Sequence, residues 1–144
     1  MSSEPSPSPL HATSVAIADR AVLLCGPSGV GKSDLALRLI DRGATLISDD
    51  YTRLVEVEGR LFARAPDRIA GMMEVRGIGL IEVPHADNIA VSLAVELCGS
   101  VERMPAEAMT QSIAGVQIPC LKLAAFEASA PIKVELALKA LGLS

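Results

Sequence analysis

The chain has 144 residues, a formal net charge of −4 and an apolar fraction of 50 %, but only 2 % of its residues are aromatic. This length suits one domain with its own hydrophobic core. Single-stranded nucleic acids are bound by basic grooves with stacked aromatic rings, so this composition argues against a nucleic-acid partner. The sequence has no leader pattern and no run of 18 apolar residues, which predicts a cytoplasmic protein without a membrane partner.

The predicted elements begin after a tail. Residues 1–10 are rich in Ser and Pro and are expected to be disordered, whereas residues 11–144 are expected to form one domain. SVAI and AVLLC predict a hairpin, and the continuous apolar run of AVLLC is typical of a central, buried strand. A glycine loop, a helix over residues 33–42 ended by Gly43, and a short buried strand ATLIS follow.

The second half of the chain is predicted to be mostly strands. RLVEVEGRLFAR alternates on both sides of Glu58-Gly59, which indicates a β-hairpin. We also expect a short helix over residues 67–73, strands at GLIEV, IAVSLAVEL and CLKLAAF, and a final helix opened by Ser129 and Pro131 and ended by Gly142. The predicted fold class is therefore α/β, a mixed β-sheet around a phosphate loop with flanking helices.

The three cysteines do not indicate a disulfide framework or a metal site. Their number is odd, they are widely spaced, and each lies in an apolar run. Cys25, Cys98 and Cys120 are predicted to be buried, reduced thiols.

The segment GPSGVGKS matches the P-loop (Walker A) pattern G-x-x-x-x-G-K-[ST]. In this pattern the glycines let backbone N–H groups surround phosphates, the lysine reaches the terminal phosphates, and the hydroxyl binds magnesium. The alternative is a chance glycine turn, but the preceding apolar strand and the following helix favour phosphate binding. The predicted nucleotide-binding residues are Gly26, Pro27, Ser28, Gly29, Val30, Gly31, Lys32 and Ser33.

Two carboxylates follow the strand ATLIS. We expect Asp49 and Asp50 to lie at the end of a strand that neighbours the loop strand, where open α/β sheets bind ligands. One acid would bind magnesium or its water, and the other would accept a proton from an incoming hydroxyl group. A solvated turn is the alternative, because paired Asp residues are common after strands.

A second glycine cluster, MEVRGIGLI, contains Glu74 and Arg76 on one side of an extended segment. A carboxylate and a guanidinium group directed at one place suit a site for metal and phosphate. From these residues alone, a surface ion pair is the simpler interpretation. His11 and Arg103, each without local context, indicate no role by themselves.

Taken in order, LHAT, GPSGVGKSDLALRLIDRGATLISDD and MEVRGIGLIEV resemble the catalytic domain of bacterial HPr kinase/phosphorylase over most of residues 10–104. The resemblance implies an ATP- and magnesium-dependent serine kinase, with a fold related to phosphoenolpyruvate carboxykinase. Its protein substrate would be HPr, the phosphocarrier of the sugar phosphotransferase system, so the kinase would take part in regulating carbon metabolism. It also implies removal of the same phosphate by phosphorolysis, and assembly into a homo-oligomer.

The resemblance implies roles for single residues. His11 matches an active-site histidine, Lys32 the loop lysine, and Asp50 the acid that serves as base in one direction and acid in the other. Ser33 and Glu74 match magnesium ligands, beside which Asp49 is a further candidate. Arg76 lies in the segment tied to both activities, and Arg103 aligns with an active-site arginine.

Two departures from the long family members are visible. Only about ten residues precede His11, which is expected for a short form of the family, and LKLAAFEASAPIKVELAL stands where long members have a Gly-Arg-Asn motif. Phosphorolysis and the hexamer of the long form are therefore left open. Two other functions remain as alternatives, a small-molecule kinase or ATPase and a nucleotide sensor without catalysis.

Overall fold

The computed structural model describes residues 9–66, 70–99 and 109–144. Eight of the strands in this part form one sheet, and two form a separate small sheet. The elements are β1 (Ala12–Ile17), β2 (Arg20–Cys25), α1 (Lys32–Asp41), β3 (Thr45–Ser48), β4 (Arg53–Val57), β5 (Arg60–Arg64), β6 (Met72–Val75), β7 (Gly79–Glu82), β8 (Ile89–Cys98), β9 (Met109–Ile113), β10 (Val116–Ala124) and α2 (Ala130–Leu141).

The large sheet is mixed. Its strand order is β3-β1-β2-β8-β10-β9, and the β4–β5 hairpin joins it through β5 and β8. Strand β1 is antiparallel to both β2 and β3, whereas β2, β8 and β10 run parallel to one another. Four strands, β2, β3, β8 and β10, therefore end at the same edge, here named the phosphate-loop edge.

The two faces of the sheet are covered differently. Both helices pack on one face, where Leu35 of α1 and Val134 of α2 belong to the same buried cluster as Val22 and Leu24. The β4–β5 hairpin covers the other face, where Leu61 belongs to the same cluster as Leu23, Ile47 and Ala94. Successive side chains of a strand point to opposite faces of the sheet. Because both faces are covered, residues 21–25 of β2 are all apolar.

The architecture confirms the predicted fold class and several elements. Strands β1 and β2 form the expected hairpin, and β4 pairs with β5 around Glu58-Gly59, whose φ angles of 52° and 80° suit a two-residue turn. Helix α1 ends before Gly43, as predicted, and that glycine has a φ of 109°.

Other predictions are wrong in detail. Residues 70–71 form a turn and Met72 and Met73 belong to β6, so no helix reaches residue 73; residues 67–69 lie outside the described part. The last strand starts at Val116 and pairs with β9, which was not predicted. Ser129 occupies the N-cap position of α2 but makes no side-chain cap hydrogen bond.

The three cysteines are free, as predicted, but they are half-buried rather than buried. Residues 1–8 of the predicted tail lie outside the described residues, while Leu10 forms backbone hydrogen bonds with Thr52 in both directions. None of the helices in the described ranges has the length and apolar character needed to cross a membrane.

Candidate active site

The phosphate loop connects β2 to α1 at the phosphate-loop edge. It runs from Gly26 to Gly31, and α1 begins at Lys32. The N-cap residue Gly31 has a φ of 103° and provides no side-chain cap. Because the first amides of a helix have no intrahelical acceptor and lie at the positive end of its dipole, this end of α1 favours an anion.

Two glycines of the loop are required by close contacts. A Cβ atom on Gly26 would lie 2.8 Å from Cγ1 of Val30 and 3.2 Å from the carbonyl oxygen of Leu97. A Cβ atom on Gly31 would lie 2.9 Å from Cβ of Ala125 and 3.0 Å from Cζ of Phe126. The loop therefore packs against the end of β8 and against the segment that follows β10, which fixes its position on the sheet edge.

Lys32 lies beneath the loop. Its side chain is buried, and Nζ donates hydrogen bonds to the carbonyl oxygens of Gly26, at 2.6 Å, and Pro27, at 3.0 Å. The loop thus holds an ammonium group directly under the residues predicted to surround the phosphates. An incoming phosphate oxygen would compete with these carbonyl oxygens for the same donors.

A cavity of about 530 Å³ opens over the loop and α1. This volume lies in the range of small-molecule sites. The cavity brings together most of the side chains that the sequence singled out. The residues that line it are Ser28, Gly29, Gly31, Lys32, Ser33, Asp34, Leu37, Asp49, Asp50, Met73, Glu74, Val75, Arg76 and Phe126.

Asp49 is a buried carboxylate that accepts three hydrogen bonds. Oδ1 accepts from Oγ of Ser33 at 2.6 Å and from Oγ1 of Thr13 at 3.2 Å, and Oδ2 accepts from the backbone N–H of Glu74 at 3.2 Å. The carboxylate therefore links the start of α1 to β1 and β6. Its oxygens and the Ser33 hydroxyl form a set of hard donors of the kind magnesium prefers.

Asp50 has a different environment. Its side chain is 58 % exposed, and Oδ1 lies 2.9 Å from Nε2 of His11. The imidazole of His11 stacks on the ring of Tyr51 with centroids 5.0 Å apart, so it is supported on one side. The backbone of Asp50 has a φ of 71° and donates to Oγ1 of Thr13 at 3.1 Å, which turns the residue away from the line of β3.

The sheet order corrects one expectation about these acids. Strand β3 does not neighbour the loop strand β2, because β1 lies between them and is antiparallel to both. Strands β3 and β2 still run in the same direction, so Asp49 and Asp50 reach the phosphate-loop edge. Asp49 therefore reaches Ser33 across the end of β1.

Glu74 and Arg76 both line the cavity and are exposed. They belong to the small hairpin of β6 and β7, in which Glu74 lies in β6 and Arg76 in the turn that follows. The prediction that Glu74 and Arg76 share one extended strand is therefore wrong at Arg76, because β6 ends at Val75. The backbone bond from Glu74 to Asp49 holds this hairpin at the cavity.

One predicted site residue, Arg103, lies outside the described residues. Several lining or supporting residues were not predicted, namely Thr13, Leu37, Tyr51, Met73, Val75 and Phe126. Thr13 lies two positions after His11 in a strand, and no local pattern distinguishes it. Phe126 had a signal, because it is one of only three aromatic residues counted as Phe, Tyr or Trp.

Cys25 precedes the loop but is not a reactive thiol. Burial, with a smaller contribution from the nearby charge of Glu96, raises its pKa to about 11. A thiol with this pKa is neutral near pH 7 and is a poor nucleophile. Cys25 therefore adds no reactive nucleophile beside the loop.

No group of three or more His, Cys, Asp or Glu side chains that could hold a metal ion occurs in the described ranges. This is compatible with magnesium, which is commonly held by one or two protein oxygens together with substrate phosphates. Ser33 and Asp49 provide such a pair, and Glu74 lines the same cavity.

Comparisons with known proteins show which family the chain resembles. The HPr kinase/phosphorylase of Clostridium tetani is 39 % identical to this chain over 92 residues, which are 64 % of this chain and 30 % of the relative. The HPr kinase/phosphorylase of Clostridium beijerinckii is 43 % identical over 74 residues, which are 51 % of this chain and 24 % of the relative. The chain thus spans less than a third of the length of these curated relatives.

The structure of the Hpr(Ser) kinase/phosphatase from Coxiella burnetii superposes with a TM-score of 0.81 at 26 % sequence identity, covering 93 % of this chain and 90 % of that one. The model of the HPr Serine kinase C-terminal domain family matches residues 5–137. The chain therefore belongs to the HPr serine kinase C-terminal domain family.

Proposed function

We propose that this domain transfers the γ-phosphoryl group of ATP to a serine hydroxyl of the phosphocarrier protein HPr, with magnesium. The observation that supports this most is the difference between two adjacent carboxylates. Asp49 is buried and bonded to Ser33, whereas Asp50 is exposed and faces His11. One acid suits a metal-binding role and the other suits proton transfer.

The phosphates of ATP would lie along the loop Gly26–Ser33. The loop amides and the start of α1 favour a polyanion, and Lys32 supplies a positive charge at the same place. Arg76 lines the same cavity and would be a second cation for the transferred group. Arg103 is retained as a further candidate from the resemblance.

Magnesium would be held by Ser33 and Asp49, whose side-chain oxygens are 2.6 Å apart, with Glu74 beside them. When bound, the ion would neutralise charge on the phosphate oxygens. The bonds that Asp49 accepts from Thr13 and Glu74 orient its carboxylate before any ligand arrives.

Asp50 would accept the proton of the serine hydroxyl as that oxygen attacks phosphorus. Its exposed carboxylate can be approached from solvent by a side chain of another protein. His11 would hold the carboxylate in position, since the imidazole is itself stacked on Tyr51. In the reverse direction the same group, once protonated, would return the proton to the serine oxygen.

Phosphorolysis of phosphoserine-HPr is a second candidate activity. It is favoured by the similarity to the Clostridium relatives, which are named HPr kinase/phosphorylases. The same cavity would bind inorganic phosphate where the γ-phosphate lies. The proposal includes a homo-oligomer and a cytoplasmic location, the compartment that supplies ATP.

The test is incubation of the protein with ATP, magnesium and HPr, followed by mass spectrometry of HPr. One phosphoryl group on a serine is expected, and Asp50→Asn should slow its transfer by about two to four powers of ten. A phosphorylated metabolite with unmodified HPr would favour a small-molecule kinase. ATP binding without any turnover would favour a nucleotide sensor.

A further inference from the structure

Phe126 is an exposed aromatic ring within the cavity. It lies in the connection between β10 and α2, its side chain is 70 % exposed, and it is one of the residues lining the site. The chain has only two Phe and no Trp. An aromatic ring left in water has a cost, so a ring at the mouth of a phosphate site invites a planar ligand group.

The strand order places Phe126 on the side of the loop opposite to the carboxylates. Strand β10, which precedes Phe126, lies two strands from β2 in one direction, and β3, which precedes Asp49, lies two strands from β2 in the other. A nucleotide whose terminal phosphate points to Asp50 would therefore extend its nucleoside toward Phe126.

The backbone on both sides of Phe126 is held in place. Arg38 of α1 donates hydrogen bonds to the carbonyl oxygens of Ala125 and Glu127, the latter at 3.0 Å, and Lys133 forms a 2.8 Å ion pair with Glu127. The ring itself lies beside Gly31, where a Cβ atom would be 3.0 and 3.2 Å from two of the ring carbons. A segment held in this way has little backbone entropy to lose when the ring binds a ligand.

We propose that Phe126 is the platform on which the nucleobase of ATP stacks, an inference that rests on the proposed kinase function. Leu37 of α1, which also lines the cavity, provides further apolar surface. Purine bases stack on aromatic side chains with energies that alanine substitution detects readily. Phe126 then contributes to affinity for the nucleoside, while the loop binds the phosphates.

The experiment measures the binding of two probes, ATP and inorganic tripolyphosphate, by calorimetry in the presence of magnesium. Phe126→Ala should weaken ATP binding by roughly five- to fifty-fold and leave tripolyphosphate binding unchanged. Phe126→Tyr should keep the affinity for ATP. Leu136→Ala is the matched control, because Leu136 is 61 % exposed on α2 and does not line the cavity.

A second readout uses the absence of tryptophan. Phe126→Trp would introduce the only indole of the chain, and stacking with adenine should quench its fluorescence. ATP should quench it and tripolyphosphate should not. Wild-type affinity for ATP in Phe126→Ala, equal loss of both probes, or no quenching at saturating ATP would each overturn the stacking proposal. If the wild-type protein bound neither probe, the kinase function would fail first.

Discussion

The ends of β3 and β10 lie symmetrically about the phosphate loop, each two strands from β2, yet they differ in chemistry. The β3 end presents Asp49 and Asp50, tied by hydrogen bonds to α1, β1 and β6. The β10 end presents Phe126, whose ring is 70 % exposed and lies beside Gly31 of the loop. One side of the loop is polar and closely connected, and the other is apolar and open.

This difference separates catalysis from binding. A proton acceptor and metal ligands must be oriented before the reaction, and on the polar side several hydrogen bonds provide this orientation. A nucleobase needs only a flat surface that excludes water. We therefore expect substitutions on the β3 side to affect turnover or the metal, and those on the β10 side to affect nucleotide affinity or loop packing.

The largest expected effect is that of Asp50→Asn on turnover. Loss of the proton acceptor should lower kcat by about two to four powers of ten, with the affinity for ATP nearly unchanged. Phosphorylated HPr is measured by mass spectrometry and ATP binding by calorimetry. Asp19→Asn is the control, because Asp19 lies in the β1–β2 turn at the opposite edge of the sheet and also has a positive φ, of 64°. An equal loss of turnover and binding would contradict the role of Asp50.

Lys32→Ala should lower both nucleotide affinity and turnover. It removes the buried ammonium group under the loop, so we expect ATP affinity to fall by about ten- to a hundredfold together with turnover. Equilibrium binding and steady-state rates are measured in parallel with Lys139→Ala, an exposed lysine of α2. Unchanged ATP affinity in Lys32→Ala would rule out phosphate binding by this loop.

Asp49→Asn should weaken magnesium binding. The substitution keeps the size of the side chain but removes its charge, so the magnesium concentration for half-maximal activity should rise by about tenfold or more. ATP binding without magnesium should change little. Urea denaturation is measured alongside, because Asp49 accepts one buried and two partly buried hydrogen bonds, and their weakening should cost about 1–3 kcal/mol. A magnesium requirement equal to that of the wild-type protein would remove Asp49 from the metal site.

The smallest effect concerns the packing of the loop against the β10 side. Gly31→Ala should destabilise the protein more than Gly29→Ala, by about 1–2 kcal/mol in urea denaturation. Both glycines have positive φ angles, 103° and 84°, but only a Cβ at Gly31 meets Ala125 and Phe126, while none of the described atoms lies within 4 Å of one at Gly29. Equal destabilisation would mean that backbone strain alone matters and that the β10 connection does not hold the loop.

Local elements of the fold were predicted well from the sequence. The β1–β2 hairpin, the loop with its helix, and the Glu58-Gly59 hairpin all follow from patterns a few residues long. The missed strand β9 joins β10 through Ala114-Gly115, whose φ angles of 50° and 83° mark a tight turn. The glycine was visible, but MTQSI has no clear alternation and is largely exposed.

The incorrect helix over residues 67–73 has a similar origin. Met72 and Met73 have no strong β propensity, and they become a strand by pairing with Glu82 and Ile81 in β7. These pairing partners lie eight to ten residues away in the chain, whereas a helix pattern is read from residues three or four apart. For the same reason the burial of Cys25, Cys98 and Cys120 was overestimated, because apolar neighbours in sequence do not fix exposure.

The sequence by itself determined the phosphate loop, the strand before it, the helix after it and the pair of acids, because each depends on residues that are neighbours in the chain. The tertiary structure alone decided which acid is buried, that His11 meets Asp50 across 39 positions, and that Phe126 lies on the other side of the loop. The physical reason is that strand order and direction, set by burial of the whole sheet, bring distant segments to one edge.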